Sequence, residues 1–262
     1  MPDVLNLPPT YFQVFFLILM RVASVVMTLP VLSSRNIPAP AKIGLSAITA
    51  FVLTPTLSAQ TPSVPIAMPT FVLAIAQEIL LGLAFAFVVQ IVFSGIQMAG
   101  QVIGIQMGFN IAATLDPVTS SGQISYIDQL YGLLAGMVFL TINGHHWVLQ
   151  ALQSSFAIVP VGQFQLNQAV SDDLVSLVAQ ALILSIRIGL PIAAALLLTD
   201  IAFLIIGRTA PQMNIFMVGQ PVKIGVGLIA FFLAMPVMVS TMSEVFRGLN
   251  ADLIGLLQAA HG

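Results

Sequence analysis

Glu78, Arg187 and Asp200 are candidate functional charges inside long apolar stretches of this 262-residue chain, and Arg21 interrupts the first apolar stretch. A charged side chain is costly in lipid, and intramembrane charges commonly mark ion pathways or proton relays. A structural ion pair, in which Arg187 neutralises Glu78 or Asp200, meets the same cost without transport. Arg187 and Asp200 are too far apart to touch along one straight helix, so their pairing requires the chain to fold back. Proton coupling and a structural pair are both open, and the structural pair is the simpler interpretation.

The remaining chemistry of the side chains does not favour catalysis. His145 and His146 could bind a metal or sense pH, but no third ligand accompanies them, and beside Trp147 they are also typical of an anchor at the membrane interface. The chain has no cysteine, which excludes disulfides and thiolate sites. No HExxH, P-loop or glycine-flanked serine motif occurs. We therefore predict a protein that is not an enzyme and has no metal or cofactor.

The composition is that of an integral membrane protein. Hydrophobic residues make up 58% of the chain and charged residues only 6%, against about 25% charged in soluble domains. A bilayer core about 30 Å thick needs roughly 20 apolar residues per helix. The third candidate span is too long for one perpendicular crossing. The apolar segment Trp147–Val159 is short, which suits a re-entrant or an interfacial segment. The six predicted spans are Tyr11–Leu32, Ile43–Ala59, Thr70–Gly108, Ile124–Ile142, Leu174–Ile206 and Ile224–Val245.

The basic residues predict an orientation. With six spans and the N-terminus outside, Arg35, Lys42, Arg208 and Lys223 all fall on the cytoplasmic side, as cations near membrane spans usually do. The outer connectors, residues 60–69 and 143–173, contain no Lys or Arg, and only Arg247 is placed outside.

A polar interruption follows the third span. Asp-Pro disfavours helix, and the polar run after it needs protein or water partners, because irregular backbone at membrane depth survives only where it is buried or lines an aqueous path. Glycines at both ends permit hinge-like change. The loop from Gly108 to Gly122 is therefore a candidate closure, with a passive connector as the alternative. Its candidate residues are Gly108, Phe109, Asn110, Ile111, Leu115, Asp116, Pro117 and Gly122.

Two stripes run along the third span before this loop. The polar stripe consists of Gln90, Ser94, Gln97 and Gln101, which recur at the spacing of one helix face. It faces either a channel or a neighbouring helix, where side-chain hydrogen bonds would hold helices together. The second stripe contains Gly100 and Gly104, and small residues at this spacing favour close helix packing.

Four segments, taken together, resemble the FliR family of flagellar biosynthesis proteins, and the resemblance extends from about Phe12 to Arg247. A homologous component of injectisomes shares the pattern. The segments are SRNIPAPAKIGL, QEILLGLAFAFVVQIVFSGIQMAGQVIGIQMGFNIAATLDP, NGHHWVLQAL and APQMNIFMVGQPVKIGVGL.

This resemblance implies a subunit of the type III protein export gate in the bacterial inner membrane, at the flagellar basal body. In the family one FliR copy assembles with FliP and FliQ subunits around a channel for unfolded export substrates, and FlhB wraps the cytoplasmic entrance. The implied fold is all-α, with about six hydrophobic helices in steep hairpins. Residues 1–173 would be FliP-like, with the loop 108–122 in the position of a channel plug, and residues 174–262 would form a FliQ-like hairpin.

A secondary transporter for a small solute is the rival hypothesis. Broken helices and the intramembrane charges Glu78, Arg187 and Asp200 also suit that class. A transporter should bind its solute as a single chain or homo-oligomer, whereas a gate subunit should co-purify with unlike membrane proteins.

Overall fold

The computed structural model describes residues 9–34, 37–58, 68–109, 126–164, 167–212 and 214–261. Within these ranges the chain is helical and contains no strand, which confirms the all-α prediction. We number the helices in chain order: α1 Pro9–Thr28, α2 Ala39–Ser58, α3 Met68–Gln106, α4 Tyr126–Thr141, α5 Gly144–Ile158, α6 Gln168–Thr209 and α7 Ile215–His261.

Five of these helices are long and apolar enough to cross a membrane, and the number rises to six if the bent pair α4–α5 counts as one span. The long helices exceed a single crossing: the 39 residues of α3 extend about 58 Å at about 1.5 Å per residue, against about 30 Å of hydrocarbon. The bounds of α3 agree with the prediction to within two residues at each end. The agreement is close because an unbroken apolar stretch is a local property that can be read directly from the sequence.

The break between α4 and α5 is sharp. Asn143 adopts the left-handed conformation, with φ 59° and ψ 32°, and the two helix axes differ by 70°. Asn is one of the few non-glycine residues that accept this conformation cheaply. The motif Asn143-Gly144-His145-His146 would be expected from its sequence to form a turn, but the turn is Ile142–Asn143, and both histidines lie in the first turn of α5.

α6 and α7 are longer than predicted. α6 begins at Gln168, inside the segment expected to be a connector, where the Asn167 Oδ1 accepts a hydrogen bond from the Val170 N–H at 3.0 Å. This is the N-cap geometry that satisfies an otherwise unpaired helix N–H. α7 continues past Val245 to His261. In that extension the helix buries apolar residues spaced three and four apart, namely Leu249, Leu253, Leu256, Leu257 and Ala260.

The chain forms two units, each assembled from separate segments. Unit 1 comprises Met1–Ile91, Asn143–Val178 and Arg247–Gly262, and unit 2 comprises Val92–Ile142 and Ala179–Phe246. In unit 1 the Asn167 Nδ2 donates to the Ala259 carbonyl at 2.7 Å. Unit 2 contains a buried aromatic cluster of Phe93, Phe139 and Phe246, with ring centroids 5.1–5.5 Å apart. The predicted division at residue 173 concerns relatedness to FliP and FliQ, and it stays a prediction.

Burial differs strongly between the long helices. In the apolar part of α3, 61% of the segment is buried inside the chain, whereas in the apolar parts of α6 and α7 the buried share is 22% each. Exposed leucines and isoleucines cover the outer faces of α6, for example Leu190, Leu197 and Leu204. Such continuous apolar surface is typical of contact with lipid or with other membrane helices.

Candidate functional site

The most densely bonded polar centre of the described residues is formed by Arg21 and Glu78, in the middle of apolar helices of unit 1. The Arg21 Nε donates to the Glu78 Oε2 at 2.5 Å and its Nη2 donates to the Glu78 Oε1 at 3.0 Å. The two side chains are 1% and 0% exposed. This bidentate arrangement matches the planar guanidinium to the carboxylate and is the strongest geometry for such a pair.

The end of α5 completes the centre. The Arg21 Nη1 donates to the Ser155 Oγ at 3.2 Å, and Nη1 and Nη2 both donate to the Val159 carbonyl at 3.1 Å. Arginine has five N–H donors, and all of them are used. The Glu78 Oε1 also accepts the Gly162 N–H at 2.7 Å. Because the carboxyl end of a helix carries partial negative charge, the end of α5 also favours the Arg21 cation.

Packing around the pair removes it from solvent. The Arg21 guanidinium carbon lies 4.2 Å from the centroid of the Phe156 ring, a distance at which cation–π attraction is appreciable. The hydroxyl of Ser155 donates onward to the Leu152 carbonyl at 2.7 Å. A buried charge is tolerated only when it is paired and hydrogen-bonded, and this centre satisfies both conditions.

The sequence reasoning missed Arg21 as a partner. The expectation from the sequence is a structural pair of Arg187 with Glu78 or with Asp200, with Arg21 as an interruption of the first span. The structure corrects this: the Arg187 side chain is exposed, and Asp200 forms an ion pair with Lys223. One signal was available, since a single cation in the first span and a single carboxylate in the third each needed a partner at membrane depth.

The Asp200–Lys223 pair joins α6 to α7 within unit 2. It is more open than the Arg21 centre, with the side chains of Lys223 and Asp200 exposed by 18% and 45%. Surface pairs of this kind contribute about 0–1 kcal/mol.

The polar stripe of α3 lies on a partly open face. Gln90 is half-buried, and Ser94, Gln97 and Gln101 are exposed on the isolated chain. The Gln97 side chain passes close to Gly132 of α4, since a Cβ added at Gly132 would meet its amide nitrogen at 2.8 Å. The choice between a channel face and a helix-packing face stays open for this stripe.

The glycines of α3 fall into two groups. A Cβ added at Gly100 would lie 2.9 Å from the Asp128 Cα and from the Ile127 carbonyl oxygen, so the α4 backbone approaches α3 at van der Waals distance. Gly104 is buried as well. Gly108 instead ends the helix: its φ is 84°, its N–H bonds the Ile105 carbonyl at 3.0 Å, and the Phe109 N–H bonds the Gly104 carbonyl at 3.1 Å. This pair of bonds is a Schellman cap, which favours glycine.

The other candidate residues of the loop lie outside the described part of the chain. They are Asn110, Ile111, Leu115, Asp116, Pro117 and Gly122.

The histidines stand side by side on α5, with ring centroids 4.9 Å apart, and both are exposed. Among the described residues no group of three His, Cys, Asp or Glu side chains could hold a metal ion. Trp147 follows them in the helix and is half-buried.

Comparison with known proteins identifies the family. The profile of the family described as "Bacterial export proteins, family 1" matches residues 12–249. This chain belongs to that family. The flagellar biosynthetic protein FliR of Escherichia coli K12 is 32% identical to it over 253 residues, which cover 95% of each chain. FliR of Bacillus subtilis 168 is also 32% identical, with 90% of this chain and 91% of the relative covered. FliR of Pectobacterium carotovorum is 31% identical and covers 94% of both.

Membership of this family confirms the resemblance predicted from the four sequence segments, and the match includes the whole of α3 together with Arg21 and Glu78. The transporter hypothesis rested on intramembrane charges. Glu78 accepts three hydrogen bonds within the chain, and Asp200 is paired with Lys223. These charges are therefore accounted for by structural contacts, and family membership favours an export component over a solute carrier.

Proposed function

We propose that the chain is a structural and gating subunit of the flagellar type III export gate, in the inner membrane at the flagellar basal body. The observation that carries this proposal is the family match over residues 12–249, together with FliR relatives that align over nearly their whole length. The gate passes unfolded export substrates, and the export energy comes from elsewhere, since no catalytic constellation is evident in the sequence.

The proposed partners are FliP and FliQ subunits around the channel and FlhB at its cytoplasmic entrance. The exposed apolar faces support an assembly with other membrane helices, because α6 and α7 leave most of their apolar windows uncovered by the chain itself. The partly exposed Asp200–Lys223 pair on those helices is also better accommodated against polar groups of a partner than against lipid.

The loop Gly108–Gly122 is proposed as the closure of the channel. Support comes from the position of the loop in the family pattern and from the residues at its start. α3 ends in a Schellman cap at Gly108, so the end of the helix is specified by its own sequence. Phe109 and Ile111 would supply apolar bulk, and the serines and threonines would supply hydrogen bonds that exchange readily with water.

The export role is tested by deleting the gene in its own bacterium. We expect loss of swimming and of flagellar proteins in the culture medium, with both restored by the wild-type gene. A deletion strain that still secretes flagellar proteins would overturn the flagellar role. Loss of injectisome effectors, with flagella intact, would place the chain in the other branch of the family.

The closure is tested separately by removing Asn110–Ser121 and leaving the rest of the chain unchanged. A plug predicts a complex that still assembles with FliP and FliQ but leaks ions when export is idle. A passive connector predicts no leak. A shorter internal deletion within residues 59–67, between α2 and α3, provides a control for chain shortening outside the loop.

A further inference from the structure

α5 is too short to cross a membrane by itself. Its 15 residues extend about 22 Å, less than the roughly 30 Å hydrocarbon core. One face is buried, with Val148, Ala151 and Leu152 among its residues, whereas His145 and His146 are exposed on the other. A half-length amphipathic helix of this kind needs a specific contact to hold it at depth.

The contact is made by the segment Ser155–Gly162, which we call the α5 latch. It provides partners for three of the five Arg21 hydrogen bonds and for one of the Glu78 bonds. The Phe156 ring of the latch lies against the guanidinium. Without the latch, Arg21 and Glu78 would still bond each other, but the remaining donors and acceptor would be unpaired in apolar surroundings.

The chain reaches this position through a turn that depends on Gly162. Its φ is 75°, and a Cβ added there would meet only the Ala74 Cβ at 3.5 Å, an ordinary contact distance. Space therefore does not require glycine, whereas the backbone conformation favours it. Asn tolerates this conformation, and a β-branched residue such as Val does not.

We propose that the α5 latch docks on the Arg21–Glu78 pair and thereby holds α5 as a re-entrant half-span. The pair then has two roles. It joins α1 to α3, and it binds the α5 latch, whose first residue Ser155 lies 77 residues after Glu78 in the chain. Because the unpaired groups are costly to bury, the latch is either fully docked or fully released. This proposal does not depend on the export role.

The chain contains no cysteine, so single introduced thiols report on the latch without background. Val161→Cys places a probe inside the latch, where Val161 is 8% exposed, and Val22→Cys places a reference probe in α1, where Val22 is 0% exposed. Each probe is combined with Gly162→Val or with its matched control Gly162→Asn. The rate of labelling by N-ethylmaleimide is measured on the full chain in native membranes.

We expect Gly162→Val to raise the labelling rate of the Val161→Cys probe about tenfold, the effect of weakening one or two buried hydrogen bonds. Gly162→Asn should label at nearly the wild-type rate, and the Val22→Cys probe should stay protected in both. Equal rates for the Val and Asn variants would overturn the proposal. Equal exposure of both probes would also overturn it, because it would show general unfolding instead of release of the latch.

A second variant removes the receptor. In Arg21→Met/Glu78→Leu the latch has no charged partner, and we expect rapid labelling of the Val161→Cys probe while the Val22→Cys probe stays protected. If the Val161→Cys probe remains protected in this variant, α5 is held by packing alone and the proposal fails.

Discussion

Removing Arg21 should destabilise the chain more than removing Arg21 and Glu78 together. In Arg21→Met the Glu78 carboxylate keeps only the Gly162 N–H as a partner, because its other bonds come from Arg21. Stranding one member of a buried pair costs about 3–5 kcal/mol. The Val159 carbonyl loses both of its guanidinium donors, which adds about 1–2 kcal/mol. The expected loss of unfolding free energy is therefore about 4–7 kcal/mol.

The double variant Arg21→Met/Glu78→Leu leaves no uncompensated charge. The Val159 carbonyl and the Gly162 N–H each lose a partner, at a cost of about 1–2 kcal/mol apiece. The expected total is about 2–4 kcal/mol, so replacing Glu78 as well should recover about 2 kcal/mol. The single variant Glu78→Leu completes the comparison: a double variant that loses less stability than the two single variants together shows that the residues share one hydrogen-bond network.

The assay is equilibrium unfolding of the full chain in mild detergent by added SDS. The single tryptophan, Trp147, lies in α5 and is half-buried, so its fluorescence reports on the helix that the pair holds. Far-UV circular dichroism follows the helix content of the whole chain in the same samples. Lys223→Met is the matched control, since its pair with Asp200 is partly open and should contribute only about 0–1 kcal/mol.

Two results would refute this reasoning. One is an Arg21→Met variant within about 1 kcal/mol of the wild-type chain, well below the cost of a stranded buried charge. The other is a double variant that loses as much as the two single variants added together, which would show that the two groups are not coupled.

Three further outcomes are expected. Gly100→Ala should lower the unfolding free energy by about 1–3 kcal/mol, because its methyl group would press on the α4 backbone. The control Gly136→Ala, which has open space around it, should not lower the unfolding free energy, and thermal melting compares the two variants. Asn167→Ala should lower the unfolding free energy by about 1–3 kcal/mol, and with it the melting temperature, because the α6 N-cap and the bond to the α7 end are lost; an unchanged melting temperature would contradict that. Arg187→Leu should leave the unfolding free energy within about 0.5 kcal/mol of wild type, because the residue is exposed; a larger loss in the same SDS titration would show a partner for Arg187.

The local features of the fold follow from the sequence. Hydropathy alone predicted membrane helices, and the bounds of α3 agree with the prediction to two residues at each end. The short Trp147–Val159 segment corresponds to α5, Gly144–Ile158, and the residues that carry the family resemblance were visible as continuous motifs. These features depend only on residues that are adjacent in the sequence, so they can be predicted without knowledge of the tertiary contacts.

Other boundaries required knowledge of what each helix packs against. α7 was expected to end at Val245 because charged and polar residues, among them Arg247 and Asp252, reduce the hydropathy beyond it. The helix continues to His261 because Leu249, Leu253 and Leu256 are buried along one face. An amphipathic extension of this kind is stable only once its apolar face is covered.

The polar centre was decided by tertiary structure. The sequence showed that Glu78 needed a cation at membrane depth, but Arg21 and Arg187 were both available, and composition does not say which helices are neighbours. The fold places Arg21, 57 residues before Glu78, within hydrogen-bond distance, and brings the end of α5 to the same point. By itself the sequence determined that this is an all-helical membrane protein of the export family, because hydropathy and motif are local. Only the tertiary structure decided which charges meet, because a buried ion pair depends on distances between segments that are remote in the chain.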